Sequence, residues 1–112
     1  LPRDLREASE AASLLALLAF SRAITDAPSA GELESALDEN PKQSEPRYQL
    51  AARQLLGGDH DKALENFMML LKQDRNYRDG AAQRGLLTVF ALLDEDDERI
   101  PRYRRRMFAL LH

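Results

Sequence analysis

The segment from Leu50 to Leu71 reads LAARQLLGGDHDKALENFMMLL, and its pattern decides the fold class. Apolar residues recur at helical spacing on both sides of Gly57-Gly58, and two consecutive glycines end the first of the two helices. Asp59 follows with a side chain suited to accept a hydrogen bond from the first amides of the second helix. The segment therefore predicts two antiparallel helices joined by a tight turn.

The spacing of this hairpin recurs before and after it in the sequence. Leu33 and Phe67 are 34 residues apart, and so are Ala51 and Gly85. A 34-residue period of helix–turn–helix units is the spacing of tetratricopeptide repeats, whose units stack because one hairpin cannot bury both of its faces. We interpret residues 44–77 as one well-matched repeat, residues 5–43 as a degenerate repeat and residues 78–111 as a half-matching helix pair.

Several positions of the central unit depart from the tetratricopeptide pattern. Residues that replace the expected aromatic, tyrosine or proline side chains are Arg47, Gln54, His60 and Arg75. Repeats that bind a terminal carboxylate carry lysine and asparagine at two groove positions, where this chain has Tyr48 and Ala52. A carboxylate bound there would lack its hydrogen-bond donors, so we do not expect that type of peptide binding.

The composition favours helices throughout the chain. Leucine occurs 20 times and alanine 16 times among the 112 residues, whereas isoleucine, valine and threonine together occur five times. Because β-branched residues are what strands favour, a sheet is nearly excluded. We predict one all-α domain over residues 1–112, built of antiparallel helical hairpins stacked as a short tetratricopeptide-like solenoid. Its six helices are predicted at about 5–25, 29–40 (opened by a capping box of Ser29 and Glu32), 45–56, 60–73, 79–93 and 96–111.

The longest apolar run lies in the first predicted helix. Ala11 to Phe20 reads AASLLALLAF, which is half the length that a membrane span needs and is flanked by charged residues. We expect it to form the centre of a buried helix, because a helix that is apolar almost all round must be covered on more than one face. The alternative is a surface that binds a partner.

Nothing in the sequence supports catalysis or a cofactor. The chain has no cysteine, which excludes disulfides and thiolate chemistry. Asp59-His60-Asp61 has metal-binding residue types, but three consecutive residues at a helix start point in different directions, so we interpret it as a cap with a packed histidine. We expect no enzyme activity, no catalytic residue, no metal and no cofactor.

The charges are divided unequally along the chain. The formal net charge is −3, with 11 basic and 19 acidic groups in residues 1–98 and five arginines without any acid in residues 99–112. Arginines on phosphate would give salt-dependent affinity, but the acidic body opposes a nucleic-acid partner. We expect neither nucleic acid nor a membrane as partner.

The last predicted helix is amphipathic. Its apolar residues share one broad face, and three of its arginines lie on the other, namely Arg102, Arg105 and Arg106. The apolar set is Ile100, Tyr103, Met107, Leu110 and Leu111. Such a helix either caps the stack, as terminal helices of repeat arrays do, or presents Phe108, Leu110, Leu111 or the arginines to a partner.

The end of this helix resembles a particular family. Tyr103-Arg104-Arg105, followed by Met107-Phe108-Ala109-Leu110-Leu111, is similar to the C-terminal end of the YbbN/CnoX proteins, bacterial thioredoxin-like co-chaperones also called chaperedoxins. The similarity extends back through Arg47 to Ala51, the helix around Ala63-Leu64 and Asp79-Gly80, and so covers essentially the whole chain.

The resemblance implies a function and a site. It implies a protein–protein interaction module that contacts unfolded clients and docks on a GroEL-type chaperonin through the C-terminal helix, in the cytoplasm. It places partner binding on Tyr103, Arg104, Arg105, Met107, Phe108, Leu110 and Leu111. Family members carry an N-terminal thioredoxin-fold domain that this chain lacks, so we expect the chain to be a C-terminal fragment of a longer protein, without redox activity.

A scaffold without a chaperonin role is the alternative. In that case the repeats bind peptides of another kind, or the leucine-rich first helix mediates self-association. Light scattering would detect the self-association, and deletion of residues 100–112 would test the chaperonin role.

Overall fold

The protein is all-α, as predicted. The computed structural model describes the backbone of residues 3–112 and the side chains of residues 10–112. Within this part of the chain there is no strand, and six α-helices are joined by short connections. The helices are α1 (Arg3–Ala23), α2 (Ala30–Glu39), α3 (Ser44–Leu56), α4 (His60–Gln73), α5 (Ala81–Leu92) and α6 (Arg99–Leu111).

The central hairpin of α3 and α4 forms as its sequence predicts. Gly58 has a φ of 82°, a left-handed conformation that glycine adopts without strain. Asp59 caps α4, and its carboxylate accepts a hydrogen bond from the Lys62 amide at 3.3 Å. At the start of α2 both hydrogen bonds of the predicted capping box between Ser29 and Glu32 are present.

The core is centred on α4, which packs against α3, α5 and α6. Phe67 is fully buried, and so are the small residues Ala51 and Ala63, at which neighbouring helices approach closely. A Cβ atom on Gly85 would lie 2.4 Å from the Phe67 ring, so only glycine fits there. Ala51 and Gly85, 34 residues apart, are thus both small residues at buried positions of successive units.

A polar network between α3 and α4 explains two departures from the repeat pattern. The Arg47 guanidinium donates to the Asn66 side chain at 2.9 Å and to the Pro41 carbonyl at 2.8 Å. The Asn66 amide in turn donates to the Gln54 side chain at 2.7 Å. Partial burial lowers the pKa of Arg47 from its ordinary value. Hydrogen bonds thus replace aromatic packing at positions 47 and 54.

The expectation of a buried first helix is wrong for three of its leucines, whereas Leu17 is half-buried against the core. Leu14, Leu15 and Leu18 are 63, 67 and 56% exposed. α1 packs against α3 and α5 with its opposite face, on which Phe20 is buried. Because α1 lies at the edge of the stack, no described residue covers the leucines.

The terminal helices also do not form hairpins with their sequence neighbours as predicted. α1 packs chiefly against α3 and α5 rather than α2, and α6 packs chiefly against α4 rather than α5. The physical reason is that the buried residues of each terminal helix contribute to the same core as Phe67. Chain neighbours are therefore not the closest packing neighbours at either end.

Two predicted helix starts are shifted. α5 begins at Ala81 rather than Asp79, because Arg78, Asp79 and Gly80 all have positive φ, at 47, 56 and 87°. The Arg84 guanidinium holds this turn by donating to the carbonyls of Arg78 and Asp79 at 2.7 and 2.6 Å.

α6 begins at Arg99 rather than Asp96. The Asp97 carboxylate precedes the helix and accepts a hydrogen bond from the Arg99 amide at 2.9 Å. The acidic run from Asp94 to Glu98 therefore forms the turn before the helix, and most of it is exposed.

Candidate functional site

The inner face of α6 belongs to the core. Ile100, Tyr103 and Met107 are buried against the same cluster as Phe67, and Leu110 and Leu111 are half-buried beside it. Two of the seven predicted partner-binding residues, Tyr103 and Met107, therefore have no surface to offer a partner while α6 is docked. Of the two roles that the sequence predicted for α6, capping of the stack is the one that fits this inner face.

A carboxylate on α4 joins two residues of α6. The Tyr103 hydroxyl donates to Glu65, and the Arg106 guanidinium donates to the same carboxylate at 2.8 Å. The hydrogen bond from Arg106 is the main reason that the pKa of Glu65 lies below its ordinary value. Burial is the main reason that the pKa of Tyr103 is raised. This cluster fixes the rotation of α6 about its own axis.

Arginines hold both ends of α6. At its start, the Arg99 guanidinium bridges Asp97 at 2.8 Å and Asp61 of α4 at 2.9 Å. At its end, the Arg75 guanidinium donates to the Leu110 carbonyl at 2.7 Å. Arg75, which stands where the repeat pattern has its closing proline, thus satisfies one of the carbonyl groups left free at a helix C-terminus.

The outer face of α6 is cationic, and we call it the arginine face. It consists of Arg102, Arg104, Arg105 and Phe108, all exposed, with Phe108 at 49%. Among residues 10–112, none forms an ion pair with any of these three arginines. The Arg104 guanidinium lies 5.6 Å from the centre of the Phe90 ring, which orients it.

An apolar groove adjoins the arginine face. It lies between α4 and α6, has a volume of about 320 Å³, and its lining includes Met68, Met69, Lys72, Ala109 and Leu110. Met69 is 39% exposed. Sequence analysis predicted neither Met69 nor Lys72 as site residues, because both lie on α4, and only the docking of α6 brings them beside its surface.

The groove and the arginine face together have the properties of a protein-binding surface. Half-exposed apolar side chains provide anchors, and the arginines provide charge and hydrogen-bond donors in a fixed orientation. Of the seven predicted residues, Arg104, Arg105 and Phe108 are fully available, and Leu110 and Leu111 are available in part.

The positions of a carboxylate-binding repeat are not usable here. Tyr48 is 5% exposed and Ala52 is fully buried. Tyr48 packs against Phe20 and Tyr77, and the Arg78 guanidinium lies 5.3 Å from its ring centre. This agrees with the expectation that a terminal carboxylate finds no donors at these two positions.

The described part of the chain has no feature typical of a metal site or of a membrane span. No group of three or more histidine and acidic residues is arranged to hold a metal ion. Asp59 caps α4 and Asp61 is bonded to Arg99, which gives both acids of the Asp59-His60-Asp61 segment a structural role. No described helix combines the length and the apolar character that crossing a membrane requires.

A family model described as a tetratricopeptide repeat matches residues 23–112. No curated protein and no solved structure matches the chain.

Proposed function

This chain belongs to the tetratricopeptide repeat family, and we propose that it is the interaction module of a thioredoxin-like co-chaperone that docks on a chaperonin through α6. As a repeat of this type it is a protein–protein interaction scaffold, and such helical folds are generally not catalytic. The proposal also includes contact with unfolded client proteins and a cytoplasmic location.

The observation that carries the proposal is the arginine face. α6 is fixed on α4 by Tyr103, Arg106 and Arg99, while Arg102, Arg104 and Arg105 keep their charges free of ion pairs with described residues. Because the backbone of α6 is already ordered, binding costs backbone entropy only to a small extent, and the main ordering cost lies in the exposed arginine side chains. The resemblance of Tyr103 to Leu111 to the C-terminal end of YbbN/CnoX proteins supports a chaperonin as the partner.

The test is binding of the full chain to a purified GroEL-type chaperonin, measured by surface plasmon resonance. The double variant Arg104→Glu/Arg105→Glu should weaken binding at least tenfold and reduce its dependence on salt, because it reverses two charges at the interface. Phe108→Ala should weaken binding without changing the unfolding transition, since this side chain is half exposed.

Lys42→Glu provides the matched control. Lys42 is exposed in the connection between α2 and α3, so its variant reverses a charge away from α6. Equal binding by Lys42→Glu and the double variant would contradict docking through α6. If the unmodified chain does not bind, the chaperonin role is wrong and the scaffold role stands.

Self-association is the second candidate, and the exposed leucines of α1 favour it. Leu14, Leu15 and Leu18 form one apolar stripe on the outer side of α1. Contiguous apolar surface of this kind is typical of interfaces. Light scattering of the chain and of a Leu14→Glu/Leu18→Glu variant tests self-association. A dimer that the variant dissociates supports it, and a monomer in both cases rejects it.

A further inference from the structure

The groove between α4 and α6 combines residues that are distant in the sequence. Its apolar and basic lining includes Met68, Met69, Lys72, Ala109 and Leu110. The two methionines lie four and three positions before the lysine, so all three side chains face the same side of α4. The groove is distinct from the positions of a carboxylate-binding repeat, since Tyr48 and Ala52 lie on α3 and are buried.

A small residue keeps this groove open. Ala109 is exposed on α6, with Arg106 three positions before it and Leu110 directly after it, and all three belong to the lining. A larger side chain at position 109 would occupy the space that alanine leaves free. The volume of about 320 Å³ is at the small end of ligand pockets, which suits a single apolar side chain of a partner.

The floor of the groove is apolar and adaptable. Met68 is 2% exposed, Met69 is 39% exposed, and Leu110 is half-buried. Methionine is unbranched and flexible, so two adjacent methionines can adjust to aliphatic or aromatic side chains. The floor therefore favours an apolar anchor without requiring one particular shape.

The rim of the groove is cationic. Lys72 is exposed and forms no ion pair with any of residues 10–112, and Arg105 lies one helical turn before Ala109 on the same side of α6. Glu65 is the one acid among the described lining residues, and its carboxylate already accepts a hydrogen bond from Arg106 at 2.8 Å. The charges that stay available to a partner at the rim are therefore positive.

The charge of the remaining surface directs an acidic partner to this end of the fold. Residues 1–98 carry 19 acidic and 11 basic groups, whereas residues 99–112 carry five arginines and no acid. Such a distribution attracts an oppositely charged partner to one region and repels it from the other. An acidic segment is thus repelled by most of the chain and attracted to α6 and the groove beside it.

We propose that this groove binds a linear segment of a partner protein in which one leucine or phenylalanine is flanked by aspartate and glutamate. The apolar side chain enters between Met69 and Ala109, and the flanking carboxylates pair with Lys72 and Arg105. The proposal rests on the interaction function proposed above, and it names the chemistry of the segment that this surface recognises.

The test uses the full chain and a fluorescein-labelled synthetic peptide of sequence DEDLEDE, with binding measured by fluorescence anisotropy. The peptide should bind, and its affinity should fall as salt is added, because salt screens exposed charge pairs. Two control peptides separate the two contributions. DEDAEDE lacks the anchor and QNQLQNQ lacks the carboxylates, and each should bind at least tenfold more weakly than DEDLEDE.

Variants of the chain test the groove itself. Ala109→Leu fills the groove without changing any charge and should weaken binding of DEDLEDE at least tenfold. Ala91→Leu is the matched control, since it makes the same change at an exposed alanine of α5, and it should bind like the unmodified chain. Lys72→Glu should weaken binding and reduce its dependence on salt. Circular dichroism confirms that each variant is folded.

The methionines provide a direct readout of where the peptide binds. The chain has three of them: Met68 and Met69 line the groove, whereas Met107 is buried in the core. In an NMR titration with isotope-labelled methionine methyl groups, the peptide should shift the Met69 signal most and the Met107 signal least. The reverse order would contradict binding in the groove.

Equal binding of DEDLEDE by Ala109→Leu and the unmodified chain would overturn the proposal, and so would a lack of binding at millimolar peptide. A dimer that Ala109→Leu dissociates, seen by light scattering, would show that a second copy occupies the groove and would also overturn it. The chaperonin measurement fails independently. If the chaperonin binds and the peptide does not, the acidic segment is wrong; if the peptide binds and the chaperonin does not, the chaperonin role is wrong.

Discussion

The two terminal helices show opposite relations between composition and burial. α1 carries the longest apolar run of the chain, yet Leu14, Leu15 and Leu18 are more than half exposed. α6 carries five arginines, yet its apolar residues Tyr103 and Met107 are almost fully buried. Attachment depends on whether apolar residues recur on the side that faces a neighbour, and the number of apolar residues is less important.

The two helices also differ in how they are held. α6 is fixed by core packing and by hydrogen bonds to Glu65, Asp61 and Arg75, so its outer face is presented rigidly. α1 is attached mainly through Phe20 and leaves an apolar stripe outside.

Substitution of a buried residue of α6 should have the largest effect. We expect Met107→Ala to lower the free energy of unfolding by about 2–5 kcal/mol, because it leaves a cavity beside α4. The measurement is urea denaturation followed by circular dichroism. Leu18→Ala on α1 is the matched control, with an expected change within about 0.5 kcal/mol. Similar losses of unfolding free energy in the two variants would contradict the difference in burial between α6 and the outer side of α1.

Loss of the hydrogen bond between α6 and α4 should have a smaller effect. Tyr103→Phe keeps the ring in the core and removes the donor to Glu65, so we expect a loss of about 1 kcal/mol. A double-mutant cycle with Glu65→Ala, which removes the acceptor, isolates this contact. If the two substitutions are additive, the hydrogen bond does not contribute to holding α6.

Acid should weaken the start of α6 by a still smaller amount. Hydrogen bonds from Arg99 lower the pKa of Asp97 from 3.8 to about 2. Because the pKa is lower in the folded state, the stabilisation is present above pH 3.8 and is lost as the pH falls towards 2. Above pH 3.8 the unmodified chain should unfold at a higher urea concentration than Asp97→Asn. This difference between the two urea midpoints should shrink as the pH falls from 3.8 towards 2. Asp96→Asn, at the exposed neighbouring residue, should show no such difference at any pH.

A polar substitution on the outer side of α1 should have the smallest effect. Leu15 is 67% exposed, so Leu15→Gln should change the free energy of unfolding by no more than about 0.5 kcal/mol. Urea denaturation at several protein concentrations checks this. A large and concentration-dependent loss would show that the leucines of α1 are buried between copies of the chain.

The sequence predicted the local features of the fold well. The capping box at Ser29, the cap at Asp59, and the ends of α3 and α4 depend on residues within a few positions of each other. The equivalence of Ala51 and Gly85 followed from the repeat period. The start of α5 was not predicted, because positive φ at two non-glycine residues, Arg78 and Asp79, is uncommon and has no clear sequence signal.

The candidate site could be predicted only in part. Helical periodicity correctly separated the face of α6 that carries Arg105 from the face that carries Tyr103. It wrongly placed Arg106 with the outer arginines, because Arg106 binds Glu65 beside Tyr103. Met69 and Lys72 were missed because they approach α6 through tertiary packing. The chaperonin role and the identity of the partner stay predictions.

The sequence by itself determined the helices, their caps and the repeat period, because these depend on local hydrogen bonds and on the spacing of apolar residues. The tertiary structure decided which helix lies on which, and therefore which apolar residues stay exposed. A helix buries whichever face finds a complementary surface. α1 inserts Phe20 beside Phe67 and leaves Leu14, Leu15 and Leu18 exposed, and α6 leaves Arg102, Arg104 and Arg105 exposed. Long-range packing of this kind has no signal within a single helix.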